Sequence, residues 1–311
     1  MMTQHTFHIH LKGRVQGVGF RPFVYRLALQ HGLKGQVLNA PDGVHIEFNA
    51  APEQARHFFE QVTRQAPRLS HISGQHLQEL PTKFFDTFAI VSSDTAAEAD
   101  LLLSPDFALC ADCRRELQAA GDVRHGYAFI TCTLCGPRFS IVESLPYDRP
   151  LTAMRDFDMC PRCAAEYENP LDRRYFSQTN SCPDCGVQLF FEKNGSGETI
   201  FHQAPALEKT LEMLRSGQTV AVKGIGGYLL LCDATDAAAI QNLRQRKHRP
   251  AKPFAVLYPS LELLRGDALV RPEEEDLLIG PVSPIVLLRL LPSPASGLAA
   301  ELIAQIGRAH V

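Results

Sequence analysis

Eight of the nine cysteines fall in four C-x-x-C pairs: Cys110/Cys113, Cys132/Cys135, Cys160/Cys163 and Cys182/Cys185. A C-x-x-C turn is tight enough to aim two thiolates at one ion, and two such turns complete a closed tetrahedral site. Four identical spacings point to metal rather than to buried core thiols. Zn2+ is favoured over an iron–sulfur cluster because no cluster-type spacing is present. With every ligand a thiolate, no coordination position is left open, so two zinc ions with a structural role are expected. Spacing alone leaves open whether the first pair shares its ion with the second or with the fourth. Cys232, in an apolar run, reads as a core thiol, and nothing in the chain suggests the oxidising compartment that disulfides need.

A second stretch with chemical potential is Gly13-Arg14-Val15-Gln16-Gly17-Val18-Gly19-Phe20-Arg21. Between a strand and a helix, its glycines allow backbone N–H groups to converge on an anion, which makes Gln16, Gly17, Val18, Gly19 and Phe20 a candidate phosphate loop. Arg21, at the helix start, is placed to add a bidentate fork. As a glycine-rich turn alone, the same stretch is equally a tight turn followed by an arginine in solvent. A third stretch gathers Arg244, Arg246, Lys247, Arg249 and Lys252, which by itself reads as a solvated basic face.

The elements that must carry these groups differ along the chain. With 311 residues, 45% of them apolar and 21% charged, the chain can bury the cores of roughly two domains. Lys+Arg 31 against Asp+Glu 34 gives a net charge of −3, so no global basic field draws it to nucleic acid or anionic lipid. No apolar run approaches the ~20 residues of a membrane span, and the alternating N-terminus lacks a signal-peptide stretch. The expectation is a soluble cytoplasmic protein that engages no membrane.

Residues 1–91 read as a ferredoxin-like βαββαβ unit. Phe7, Ile9 and Leu11 alternate as a strand, and Phe23, Val24, Leu27 and Ala28 recur as a helix with Pro22 in its first turn and Gly32 as its stop. Val37–Asn39 and Val44–Phe48 flank a turn at Pro41-Asp42-Gly43, and Pro52 opens a second helix. His71–Leu80 and Phe85–Val91 are the last strand candidates. A linker is expected over 92–103 and a double zinc-finger domain over 104–190. The zinc block repeats at an offset of 50, Glu116, Asp122, Arg124 and Gly136 recurring as Glu166, Asp172, Arg174 and Gly186. From 200 to 304 helix and strand alternate as an α/β domain, in which a helix ends at Gly217 and a strand, Thr219–Lys223, runs into Gly224-Ile225-Gly226-Gly227. The fold class is thus α+β multidomain.

The string G-R-V-Q-G-V-G-F-R, with Gly35-Gln36-Val37-Leu38-Asn39 and Asp42-Gly43, resembles the acylphosphatase signature. The resemblance implies that the loop amides and Arg21 hold a phosphate and that Asn39 orients the attacking water. Lys223-Gly224-Ile225-Gly226-Gly227-Tyr228, Arg246 to Phe254 and Ser283-Pro284-Ile285-Val286 resemble the YrdC-type nucleotide-binding domain. That likeness assigns Lys223, Lys247, Arg249, Lys252 and Ser283 to ATP, with Mg2+ as its companion. The three domains in this order, together with Cys135-Gly136-Pro137-Arg138, Leu145-Pro146-Tyr147-Asp148-Arg149-Pro150 and Asp172-Arg173-Arg174-Tyr175, resemble the HypF family of hydrogenase-maturation carbamoyltransferases. Membership implies hydrolysis of carbamoyl phosphate, formation of carbamoyl-adenylate from ATP, and transfer to the C-terminal cysteine of HypE.

The family carries histidine where this chain has Phe176 and Leu229, and it continues beyond residue 311 into the rest of the YrdC-like domain and a large transfer domain. Residues 305–311 are expected to be non-native, since Ile-Gly-Arg-Ala-His-Val is what a common sequencing adapter encodes. Two rival readings are a zinc-containing protein that binds double-stranded RNA through a YrdC-like domain, and a stand-alone acylphosphatase. Against the first stand the negative net charge and the scarcity of aromatics near the basic cluster.

Overall fold

The computed structural model describes residues 5–94, 98–193, 199–304 and 308–310. The chain divides into two units, one ending at Val187 and the other beginning at Gln188. In the first, β1 (His5–Arg14), α1 (Phe20–Gln30), β2 (Lys34–Ala40), β3 (Gly43–Ala50), α2 (Pro52–Arg64), β4 (His71–Leu80) and β5 (Phe88–Ile90) build one sheet in the order β4-β1-β3-β2-β5. Strand alternation sets its two faces. Ile9 and Leu11 of β1 and Val44, Ile46 and Phe48 of β3 are buried with Val24 and Leu27 of α1 and Phe58 and Val62 of α2. The strand expected over 85–91 is shorter, and β5 pairs parallel with β2 at the sheet edge. Gly43 is obligatory in the hairpin, because a Cβ there would lie 2.1 Å from the Leu11 carbonyl oxygen.

The zinc-finger half of this unit has little regular structure. Two eight-residue helices, α3 (Ala111–Gln118) and α4 (Pro161–Glu168), each start directly after a cysteine, Cys110 and Cys160. The repeat seen in the sequence becomes a crossed exchange of ion pairs. Arg124 reaches across to Glu166 and to the Ser181 carbonyl, while its counterpart Arg174 reaches back to Glu116 and to the Thr131 carbonyl. Asp122 and Asp172 each accept from the backbone N–H two residues on, fixing the turn that presents each arginine.

The second unit contains β6 (Phe190–Glu192), β7 (Thr199–His202), α5 (Gln203–Arg215), β8 (Val220–Gly224), β9 (Gly227–Leu231), α6 (Ala237–Arg246), α7 (Leu261–Asp267), β10 (Ala268–Leu269), α8 (Pro272–Ile279), β11 (Leu287–Leu290), α9 (Ala300–Ile303) and β12 (Arg308–His310). Its described strand pairs are all antiparallel: β6 with β7, β8 with β9, and β10-β11-β12. The glycines at 224–227 turn β8 straight back into β9. Apolar residues gather in two small clusters, around Ile240 and Ile303 and around Leu264 and Leu288. Of the tail expected to be non-native, residues 305–307 and 311 lie outside the described residues. No helix among the described residues is long and apolar enough to cross a membrane.

On the sheet face away from the helices, His8 bonds His45 at 2.9 Å and His45 bonds Asp42 at 2.9 Å. Burial, with His45 beside it, holds His8 down at about 4. The unfolded chain takes up this proton near pH 6.5 and the folded chain near 4, so stability is lost as pH falls through that window and is complete above it. His8→Gln is expected to flatten the decline of the urea midpoint over this range; an unchanged slope would contradict the assignment.

Candidate active site

The loop between β1 and α1 is built by two glycines in the left-handed region, Gly17 at φ 70° and Gly19 at φ 75°. Val15 and Val18 pin it into the core. Among the described residues, the backbone N–H groups of Gly17, Val18, Gly19 and Phe20 donate to no protein acceptor, a concave row of donors at a helix start. Gln16 points the other way: its Nε2 donates to the carbonyls of Ala40 at 2.7 Å and Gly43 at 2.8 Å, and its Oε1 accepts from Tyr147 N at 2.9 Å. Its side chain braces the loop.

Arg21 and Asn39 come together although they lie on different elements. In the amide orientation that satisfies both side chains, Asn39 Oδ1 accepts from Arg21 Nε and Nη2, each at 3.2 Å. Both residues are buried, Arg21 at 6% exposure and Asn39 at 2%. The alternative of an arginine in solvent is therefore corrected: the zinc-finger half covers it. Arg21 Nη2 donates to Asp148 Oδ1 at 2.6 Å, Ser93 Oγ donates to the other Asp148 oxygen, and the Phe176 ring lies 5.7 Å from the guanidinium carbon. Phe176 thus gives the cation an apolar platform, at a backbone φ of 53° that a side chain rarely adopts.

Arg138 closes the arrangement. Its Nε donates to the Gly17 carbonyl, and its two amino groups donate to the carbonyls of Cys132, Thr133, Cys135 and Pro137. A small cleft remains, lined by the loop, Arg21 and Asn39 on one side and by Thr133, Tyr147, Phe176 and Ser177 on the other. The arrangement offers an anion amide donors, one guanidinium and an amide that can hold a water. Sequence reasoning assigned no role to Arg138, Tyr147, Asp148 or Ser177. Their only signal was membership of the strings at Cys135–Arg138 and Leu145–Pro150 or, for Ser177, a place two residues after the string at Asp172–Tyr175.

The cysteines form two tetrads, which settles the pairing left open by spacing: Cys110, Cys113, Cys132 and Cys135 in one, Cys160, Cys163, Cys182 and Cys185 in the other. In the first, Sγ–Sγ separations are 3.7, 3.8 and 3.5 Å; in the second, 3.7, 3.7 and 3.6 Å. A tetrahedron with Zn–S of about 2.3 Å has edges of roughly 3.8 Å, so the residues present fit Zn2+. The two tetrads and the finger family described below support two zinc sites. Around them, Arg173 Nη2 donates to Cys113 Sγ at 2.9 Å and Arg124 Nη2 to Cys163 Sγ at 3.5 Å, offsetting thiolate charge from outside the coordination shell. Burial alone would raise Glu116, but Arg173 and Arg174 hold its carboxyl at about 2. A further group, His10, Asp42 and His45, brings donor atoms within 4.8 Å, but these side chains are bonded to one another.

In the second unit three of the candidate nucleotide residues, Arg249, Lys223 and Ser283, make local contacts. Arg249 donates to the carbonyls of Lys252 and Pro253, with its guanidinium 5.0 Å from the Phe254 ring centre. Lys223 sits 5.8 Å from the Tyr228 ring of its own hairpin, and Ser283 Oγ donates to the carbonyls of Leu278 and Gly280. Lys247 caps α6. Among the described residues no hydrogen bond joins Lys223, Lys247 or Ser283 to the Arg249 turn. Arg244, read as part of a solvated face, is buried and donates to carbonyls of Arg249, Leu302 and Ile303.

Three family descriptions match the chain: Acylphosphatase over residues 7–90, HypF finger over 109–142 and 159–192, and Telomere recombination, the Sua5/YciO/YrdC group, over 212–308. Carbamoyltransferase HypF of Rhodobacter capsulatus is 43% identical over 305 residues, covering 96% of this chain and 38% of its own length. A crystal structure of full-length HypF in a phosphate- and nucleotide-bound form superposes with a TM-score of 0.90 at 38% identity, over 99% of this chain and 40% of that one. The crystal structure of HypF from T. kodakarensis does so with a TM-score of 0.85 at 40% identity, over 99% of this chain and 39% of that one. The chain therefore spans under half the length of these three relatives.

Asp148 occupies a guanidinium edge of Arg21 that would otherwise be open to an anion. Asp148→Asn removes that competing charge and is expected to tighten inorganic phosphate binding roughly tenfold, read by calorimetry. An unchanged or weaker affinity would show that Asp148 orients Arg21 instead.

Proposed function

The chain belongs to the HypF family, and we propose that its first unit hydrolyses carbamoyl phosphate as the opening step of a carbamoyl transfer. The observation that carries this reading is the meeting of Arg21 and Asn39 beside the unpaired amides of Gly17 to Phe20. Phosphoryl transfer to water needs charge stabilisation on the phosphoryl oxygens and an aligned nucleophile more than it needs a strong base. The loop amides and Arg21 supply the first once Asp148 yields the guanidinium. Asn39 supplies the second: its amide, turned toward the cleft, holds a water in line with the scissile bond. The water oxygen bonds to phosphorus as the bond from phosphorus to the acyl oxygen breaks, releasing inorganic phosphate and carbamate.

The second unit, on this reading, takes carbamate and ATP with Mg2+ and forms carbamoyl-adenylate and pyrophosphate, using Lys223, Lys247, Arg249, Lys252 and Ser283. The carbamoyl group then passes to the C-terminal cysteine of HypE in the cytoplasm. Support comes from the YrdC-type match and from the nucleotide held by the full-length relative. Zinc takes no part in the chemistry, since each tetrad is closed by four thiolates.

Asn39→Ala is expected to lower kcat for carbamoyl phosphate about 100-fold while KM changes little, because the amide acts on the water rather than on the phosphate. A loss expressed in KM alone would contradict this role.

A further inference from the structure

Among the described residues two buried side-chain polar atoms lack a hydrogen-bond partner, Tyr147 Oη and Ser177 Oγ. Both residues line the cleft that holds Arg21 and Asn39, and both belong to the zinc-finger half. Buried hydroxyls are normally paired, so two orphans on residues that line one cleft call for an explanation. The backbone of each residue is held in place. Tyr147 is fixed by its N–H on Gln16 Oε1 at 2.9 Å and by the Arg138 guanidinium 5.8 Å from its ring centre. Ser177 is fixed by its N–H on the Arg174 carbonyl at 2.9 Å and by its own carbonyl on Asn180 N at 3.0 Å.

The remaining polar side chains that the zinc-finger half contributes to this cleft are committed. Thr133 Oγ1 donates to the Arg173 carbonyl, Gln178 bonds Arg149 N and the Phe176 carbonyl, and every N–H of Arg138 is taken. The phosphate end of a substrate is provided for by the loop amides and Arg21. The two hydroxyls are what is left for the other end. A carbamoyl group carries an N–H donor and a carbonyl acceptor on one carbon, and a hydroxyl can serve either. An acetyl group of nearly the same size puts a methyl where the amino group stands, and it leaves at least one of these hydroxyls buried and unpaired.

We propose that Tyr147 Oη and Ser177 Oγ form an acyl subsite, supplied by the zinc-finger half, that selects carbamoyl phosphate over acyl phosphates whose acyl group lacks an N–H. The proposal rests on the acyl-phosphate hydrolysis proposed above. It assigns the selectivity to residues outside the acylphosphatase sheet.

The test measures kcat/KM for carbamoyl phosphate and acetyl phosphate on the zinc-loaded chain and on Tyr147→Phe and Ser177→Ala. Tyr147→Phe keeps the ring against Arg138, and zinc content with inorganic phosphate inhibition reports whether each variant retains the fold and the phosphate loop. The wild-type chain is expected to prefer carbamoyl phosphate, and each variant to lose about tenfold in the carbamoyl-to-acetyl ratio. A ratio unchanged in both variants, or a wild-type chain that hydrolyses both substrates equally, would overturn the subsite while leaving hydrolysis intact. Turnover of neither substrate by the wild-type chain would instead remove the hydrolytic reading beneath it.

Discussion

Every N–H of the Arg138 guanidinium is bonded to a backbone carbonyl, four in the stretch 132–137 and one at Gly17. Burying a permanent charge at 3% exposure is costly unless its donors are all met, and a planar five-donor fork is the side chain that can do so. Its carbonyl partners beside Cys132 and Cys135 belong to the stretch that carries half of the first tetrad, so the loop between β1 and α1 is tied to a cysteine knuckle. Tyr147, Asp148 and Ser177 take their places beside Arg21 and Asn39 through further bonds to Gln16, to Arg21 and Ser93, and to Arg174 and Asn180. The acylphosphatase-like sheet supplies the anion loop, and the zinc-finger half supplies the walls.

A wall of this kind has little apolar core of its own. The first finger buries Cys113, Tyr127, Ile130, Cys132 and Cys135, and thiolates make up much of that cluster. Metal ligation stands in for hydrophobic area, as it does in small domains generally. The crossed pairs Arg124–Glu166 and Arg174–Glu116 then join the two copies, each arginine satisfying the other copy's carboxylate and backbone carbonyl. An internal repeat of 50 residues in sequence has become a reciprocal dimer within one chain.

Much of this was legible in the residues. Apolar alternation in β1 and β3, Pro22 and Gly32 around α1, and Pro52 before α2 placed the sheet and its helices because local pattern and burial agree there. Four C-x-x-C spacings announced the tetrads, though not their pairing, which depends on chain path. The walls of the cleft were not legible. Tyr147, Asp148 and Ser177 lie more than 100 residues from the loop they face, in stretches without period, so no local signal ties them to Arg21. Arg138 and Arg244 were invisible for a related reason: a charged side chain reads as solvated unless the carbonyls that bury it are known. In the second unit the basic cluster was seen, but its division into a buried strut, Arg244, and a local turn, Arg249, follows from contacts with residues 249–254 and 302–303.

The dependence of the loop between β1 and α1 on the zinc-finger clamp can be measured by amide hydrogen exchange of the full chain before and after zinc is withdrawn by a chelator. Exchange at Phe23, whose N–H is bonded to the Gly19 carbonyl, should accelerate together with Gly136 and Arg138, while the amides of β1 and β3 keep their protection, because the sheet closes its own core without metal. A Phe23 amide that exchanges at the same rate with and without zinc would show that the loop is set independently of the finger half, and the idea of a single site built by both would be wrong.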